Sequence, residues 1–181
     1  TYNSSWWVFN SKSNISNYKS APPEFTKTYD NTLIYGIKDC NKSSVAVIKS
    51  NGVDFVKWHN KNVTTYKDDY SIFFFRQSSS YSVAVFNRES DSTDNKIVIF
   101  AKNGNLKHTV KYSGTIKDIC VKGRNIYCLA DTGITVLDFE GNIKAKSEYG
   151  FGGEGLHIAS TNVAVVVTDN EIFRVKTTME G

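Results

Sequence analysis

Short runs of Val, Ile, Phe and Tyr, separated by polar turns, recur along the chain from Leu33 to Lys176. Four of them, Val45-Ala46-Val47-Ile48, Val83-Ala84-Val85-Phe86, Ile126-Tyr127-Cys128-Leu129 and Val163-Ala164-Val165-Val166, begin 38, 43 and 37 residues apart. Each reads as the second strand of a repeating unit. The runs are β-branched and almost continuously apolar, as expected of strands covered on both faces. No stretch of eleven or more residues has the three-four spacing of an amphipathic helix, so no helix is predicted.

The clearest unit has strands at 116–121, 125–130, 134–139 and 142–148, with turns at Lys122-Gly123-Arg124-Asn125, Asp131-Thr132-Gly133 and Glu140-Gly141-Asn142. Gly, Asn and Asp supply the positive φ that tight hairpins need. The preceding unit repeats the plan at 70–76, 81–87, 96–101 and 105–112, with Glu89–Asn95 read as a polar insertion. Before it come 33–39, 44–50, 53–58 and 62–66; after the clearest unit come 156–160, 162–168 and 171–176.

A period near 40 residues built of short strands predicts an all-β fold, a β-propeller of four-stranded antiparallel blades. The blades are placed at 31–69, 70–113 and 114–150, with a partial N-terminal blade at 1–30 and an incomplete C-terminal one at 151–181. Phe25-Thr26-Lys27-Thr28-Tyr29 has the polar, basic texture of a fourth strand, so it offers to complete the C-terminal sheet and close a ring of about four blades. Trp6-Trp7-Val8-Phe9 reads as a further strand, followed by an Asn/Ser-rich loop, and points instead to an arc of a larger ring. The larger ring is preferred, because four blades is the small end of the range.

Charge changes this picture little. The net charge is +4, from scattered lysines without a basic cluster, which argues against a nucleic-acid partner. No apolar run is long enough to span a bilayer, and no charged-then-apolar leader is present. The chain starts at Thr1 without Met, as a trimmed or processed product would. An extracytoplasmic location, or anchoring through a segment outside this chain, is the expectation. With open blade edges, self-association is a further one.

The cysteines are Cys40, Cys120 and Cys128, an odd count without C-x-x-C. A hairpin with Gly123-Arg124 at its tip sets Cys120 opposite Tyr127 and Cys128 opposite Ile119. Alternation then directs the two sulfurs to opposite faces, so small buried hydrophobes are expected rather than a disulfide.

The stretch from Asn125 to Ile143, with Leu137-Asp138 closing its second apolar run and Gly141 in the next turn, resembles the blade of quinoprotein-like propellers; Lys96 to Leu106 repeats its later half. The resemblance supports the fold. Cofactor-binding members of that group carry a tryptophan soon after the last turn Gly. Here Ile143-Lys144-Ala145 and Leu106-Lys107-His108 occupy that place, so no quinone cofactor is expected. The texture is also similar to membrane-anchored propeller proteins of Gram-positive bacteria.

Candidate chemistry is sparse. His59, His108 and His157 fall at different places in the repeat, and a metal centre needs convergent ligands. The carboxylates of 89–95 lack the mid-loop Gly and late Glu of a calcium loop. Phe73-Phe74-Phe75 reads as packing core. Asn3, Asn14, Asn41 and Asn62 open N-x-Ser/Thr sequons, which so Asn- and Ser-rich a chain produces by chance. Phe151-Gly152-Gly153-Glu154-Gly155 precedes a strand rather than a helix, so it reads as a blade crossover and not a phosphate loop. Crossovers lie on the face where propellers bind ligands. Phe151, Gly152, Gly153 and Glu154, with Trp58 and His59 at the end of a third strand, are therefore the candidate contact residues. No catalytic set, cofactor site or metal site is assigned. The sequence is read as a non-catalytic binding or scaffolding propeller that engages a protein or cell-envelope partner through its loops. The alternative is an enzyme with its site at the propeller mouth, a glycan-active hydrolase or a quinoprotein relative.

Overall fold

A computed structural model describes residues 6–9, 14–18, 25–41, 44–57, 59–131 and 133–177. All regular structure among them is antiparallel strand, and none is helix. The chain forms two compact units, Thr1–Asp69 and Tyr70–Gly181. The first holds a three-stranded sheet of β1 (Trp6–Phe9), β2 (Asn14–Tyr18) and β3 (Phe25–Thr28). It also holds a four-stranded sheet of β4 (Ile34–Asn41), β5 (Ser44–Lys49), β6 (Gly52–Lys57) and β7 (Asn62–Lys67).

The second unit has three sheets. They are β8 (Ser71–Gln77) to β9 (Tyr81–Arg88), β10 (Asp91–Ala101) and β11 (Leu106–Ser113); β12 (Asp118–Lys122) to β13 (Asn125–Leu129), β14 (Gly133–Leu137) and β15 (Ile143–Glu148); and β16 (Gly155–Ser160), β17 (Val163–Val167) and β18 (Ile172–Lys176). In each, neighbours in sequence are neighbours in the sheet. The first strands also meet one another, β12 touching both β8 and β16. The sheets therefore stand side by side as propeller blades, each first strand innermost.

This stacking explains the apolar runs. β13 splits its side chains between two cores: Ile126 and Cys128 pack with Val83, Val85 and Ile99, while Tyr127 and Leu129 pack with Ile158, Ala164 and Val166. A strand between two sheets has no solvent face, so both of its sides are apolar. Outer strands alternate instead, as in β11, where Val110 is buried between exposed Thr109 and Lys111.

The cysteine register is the one read from the sequence, with Cys120 opposite Tyr127 and Cys128 opposite Ile119. No disulfide joins Cys120 and Cys128, which border different cores. Burial pushes the Cys128 thiol up to about 12.

A turn with one positive φ recurs between third and fourth strands, at Lys61 (56°), Gly104 (88°) and Gly141 (93°). A bulge follows at the same place in two sheets, between Ile99 and Phe100 and between Val136 and Leu137. It turns Leu106 and Ile143 outward, 52% and 57% exposed.

Several expectations need correction. Phe25–Thr28 pairs with β2 rather than with the C-terminal sheet. The presumed Asn/Ser-rich loop after β1 contains β2, because Trp6–Phe9 finds its partner there. The presumed insertion 89–95 is mostly strand: Glu89 and Ser90 make the turn, and a register shift between Asp91 and Asn95 absorbs the extra length. Its carboxylates are drawn to separate partners, Glu89 to the Ser71 hydroxyl, Asp91 to Thr93, and Asp94 to Tyr70 and Arg88. Phe73 is exposed although Phe75 is buried, because a bulge between Ile72 and Phe74 breaks the alternation.

One side chain ties three blades together. Asp118 Oδ1 accepts from Arg76 of β8 at 2.7 Å and from the Ile119 amide at 2.7 Å, and Oδ2 accepts from the Leu156 amide of β16 at 2.9 Å. Lys122 adds donors to the Ile158 and Ala159 carbonyls, and Tyr127 donates to Thr161.

Replacing Asp118 with Ala strands these donors and should lower unfolding free energy by about 2–4 kcal/mol. Arg76→Ala, at a half-exposed ion pair, should cost under about 1 kcal/mol. Urea melts of both variants check the ordering. Because the folded Cys128 pKa is about 12 against an ordinary 9.0, its contribution to stability is complete below pH 9 and is lost as pH rises from 9 to 12. The urea midpoint should fall across that window, and Cys128→Ala should flatten the fall; an unchanged slope would count against the buried thiol.

Candidate functional site

In an antiparallel four-stranded plan, the loop entering the first strand and the hairpin joining the second and third strands open at the same end. In the last sheet these are residues 149–154 and 168–171, and they meet there. The Glu154 amide donates to the Val167 carbonyl at 2.8 Å, and the Thr168 amide to the Glu171 carbonyl at 2.9 Å. The Thr168 Oγ1 accepts from the Glu171 amide at 3.1 Å and so holds the turn closed.

Between the two loops lies a groove of about 300 Å³, lined by Phe151, Gly152 and Glu154 on one side and by Thr168 to Glu171 and Phe173 on the other. Two rings line it, Phe151 and Phe173, and Tyr149 stacks on Phe151. Tyr149 and Phe151 have centroids 4.3 Å apart and planes at 20°, and Phe151 and Phe173 are 3.9 Å apart at 22°. Burial, with the Asp131 carboxylate, pushes the Tyr149 phenol up to about 12, so it stays a neutral ring at physiological pH. Glu154, Asp169 and Glu171 are exposed, and none forms an ion pair with another described residue.

Gly153 is buried under the groove. A Cβ there would lie 2.7 Å from Val166 Cγ1 and 3.2 Å from both Leu129 methyls, so the crossover reaches the core only through glycine.

The preceding sheet has a smaller groove of about 170 Å³ between its equivalent hairpin and the outer strand β15, lined by Tyr112, Gly133, Thr135 and Lys146 to Glu148 and by no residue of its own crossover 114–117. Its hairpin closes alike, the Ala130 amide donating to the Gly133 carbonyl at 2.8 Å. Gly133 and Thr135 stand where the last sheet has Glu171 and Phe173. The two grooves share the hairpin side, and that side is acidic and aromatic in the last sheet. In the smaller groove Lys146 lies 3.9 Å from Glu148 and compensates its charge.

Of the residues singled out in the sequence, Phe151, Gly152 and Glu154 converge in the larger groove with Gly153 beneath them. His59 lies exposed in the first unit, in the turn before β7, and Trp58 lies outside the described residues. Sequence reading missed Thr168 to Glu171 and Phe173. The available signal was positional, since that polar hairpin repeats the place of Asp131-Thr132-Gly133. The groove lining contains no histidine, cysteine or lysine, so it offers acceptors and ring surface rather than a nucleophile beside a base. Among the described residues, no three His, Cys, Asp or Glu side chains are grouped to hold a metal ion, and no helix is long and apolar enough to cross a membrane.

Blades stacked through their first strands, with grooves at one end, define the class as an all-β, propeller-like repeat protein, and solved structures agree. The chain is similar to dihydro-heme d1 dehydrogenase NirN in complex with DHE, with a TM-score of 0.68, 7% identity, and coverage of 97% of this chain and 42% of that one. It is similar to BBS1N from a complex with ARL6DN, with a TM-score of 0.63, 10% identity, and coverage of 97% and 64%. A protein of unknown function from Bacteroides caccae gives a TM-score of 0.53 at 7% identity, covering 94% and 71%. Such identities speak for the fold alone, and the chain spans less than two thirds of NirN and BBS1N. The chain belongs to DUF5711, a family of unknown function, whose pattern matches residues 10–177. No curated protein matches it.

Gly153→Ala should destabilise the fold by about 1–3 kcal/mol through overpacking. Gly152→Ala, with nothing within 4 Å of the added carbon, should stay within about 0.5 kcal/mol of the parent. Thermal melts compare the two.

Proposed function

We propose that this chain is a non-catalytic binding or scaffolding propeller, working outside the cytoplasm, that takes a protein or cell-envelope partner in the groove between the 149–154 crossover and the 168–171 hairpin. The carrying observation is the groove's composition: two stacked aromatic rings, Phe151 and Phe173, beside exposed hydrogen-bond acceptors, with no nucleophile and base set together. Concave sites with ring surface and a few polar groups are the usual form of a recognition site. Ring-lined grooves also suit extended peptides.

The strand order and turn positions support a propeller-like fold. Exposed Leu106 and Ile143, which stand where cofactor-binding members of the quinoprotein-like group carry tryptophan, do not fit a quinone.

The test is selection of random twelve-residue peptides displayed on phage against the purified protein, followed by calorimetry with the selected peptides. Binding should weaken at least tenfold in Phe173→Ala, which removes a ring lining the groove, and should be unchanged in Thr109→Ala on β11. Selected peptides indifferent to Phe173→Ala, or hydrolysis of a glycan panel above the buffer rate, would overturn the reading.

A further inference from the structure

Four times within its described residues, this molecule places a cation against both an aromatic ring and a carboxylate. In the first unit, Lys49 Nζ is 2.7 Å from Asp54 Oδ1 and 6.0 Å from the Tyr29 ring centre. In the second, the Arg76 guanidinium lies 5.2 Å from the Phe74 ring and pairs with Asp118, Arg88 lies 5.1 Å from the Tyr70 ring and pairs with Asp94, and Arg124 lies 6.0 Å from the Phe139 ring and pairs with Glu140. The combination is physically coherent. The ring's negative face and the carboxylate attract the same cation from different directions, and neither requires it to be fully dehydrated.

The larger groove has two components of this set in greater number. Phe151 and Phe173 line it, and Glu154, Asp169 and Glu171 surround them. No lysine or arginine lines it, although the chain carries 22 such residues against 18 Asp and Glu. The smaller groove one sheet earlier, between hairpin and outer strand, has a cation in its lining, Lys146. Three carboxylates with no cation in the same lining give the groove a negative potential, which attracts an incoming cation.

From this we infer that the groove receives a cationic side chain, an arginine or lysine carried on an extended segment of the partner protein. The inference rests on the binding reading above and gives it a ligand chemistry. The alkyl stem lies along the phenylalanine rings, and the charged head meets the three carboxylates. At about 300 Å³ the groove accommodates one long side chain with its flanking backbone rather than a folded surface. Arginine is favoured over lysine, because its planar head stacks on rings and reaches two carboxylates at once.

Two probes test this. N-acetyl-arginine amide and its neutral isostere N-acetyl-citrulline amide are titrated into 15N-labelled protein, and amide shifts of Gly152, Glu154 and Asp169 to Glu171 are followed. The arginine probe should move these signals and the citrulline probe should not. In parallel, each Lys or Arg of the display-selected peptides is replaced by citrulline or alanine. The replacement at the groove should weaken binding about tenfold, and raising salt from 50 to 500 mM should weaken the parent peptide several-fold. The triple variant Glu154→Gln, Asp169→Asn, Glu171→Gln keeps the shape of the groove and should abolish both the selectivity and the salt dependence. If selected peptides need Phe173 but bind equally after citrulline replacement, the cation inference fails and the binding reading stands. If no peptide depends on Phe173, both fail.

Discussion

Cover on both faces is the constraint from which the rest of this molecule follows. A single sheet such as β12–β15 cannot bury its own apolar surface: Ile126 and Cys128 need one neighbour, and Tyr127 and Leu129 need another. Stability is thus a property of adjacent pairs, as in other repeat architectures. The same requirement places the polar residues. Outer strands have cover on one side only and alternate, while the turns carry Asn, Asp and Gly.

Apolar contact is non-directional, and stacked sheets slide unless something fixes their offset. In the second unit that role falls to polar side chains near the inner strands. Asp118 collects donors from β8, its own strand and β16, and Lys122 and Tyr127 reach carbonyls of the last sheet. Three donors from three strands specify one mutual position. In the first unit the Lys49–Asp54 pair is buried with only 7% and 3% of its side chains exposed, beside Tyr29. Burial and the Asp54 charge raise the Tyr29 phenol far above its ordinary value and keep it neutral.

Repetition explains how a groove arises without disturbing the core. Each blade ends in a crossover and a hairpin at the same end, and in the last sheet the gap between them is the groove. Gly153 keeps the crossover close to Val166 and Leu129, so that end of the sheet stays packed while the rim varies. Changing Gly and Thr to Glu171 and Phe173 alters only the lining. The groove of about 170 Å³ is charge-compensated, and the one of about 300 Å³ presents rings and unpaired carboxylates.

The strand order and the facing of Cys120 and Cys128 were legible along the chain, because period-two alternation and turn residues act locally. The sequence alone also marked Phe151 to Glu154 as a crossover between blades. It did not reveal the fate of Phe25–Thr28, since a polar outer strand has no apolar face to select its partner, and β2 proved to be that partner. Nor did it reveal the exposure of Phe73 or the extension of β10 to Asp91, because bulges shift register without a hydrophobic signature. The joining of Phe173 and Glu171 to Phe151 and Glu154 is likewise tertiary. Those residues come from segments about twenty positions apart, and only the return of β17 beside β16 brings their side chains to one rim.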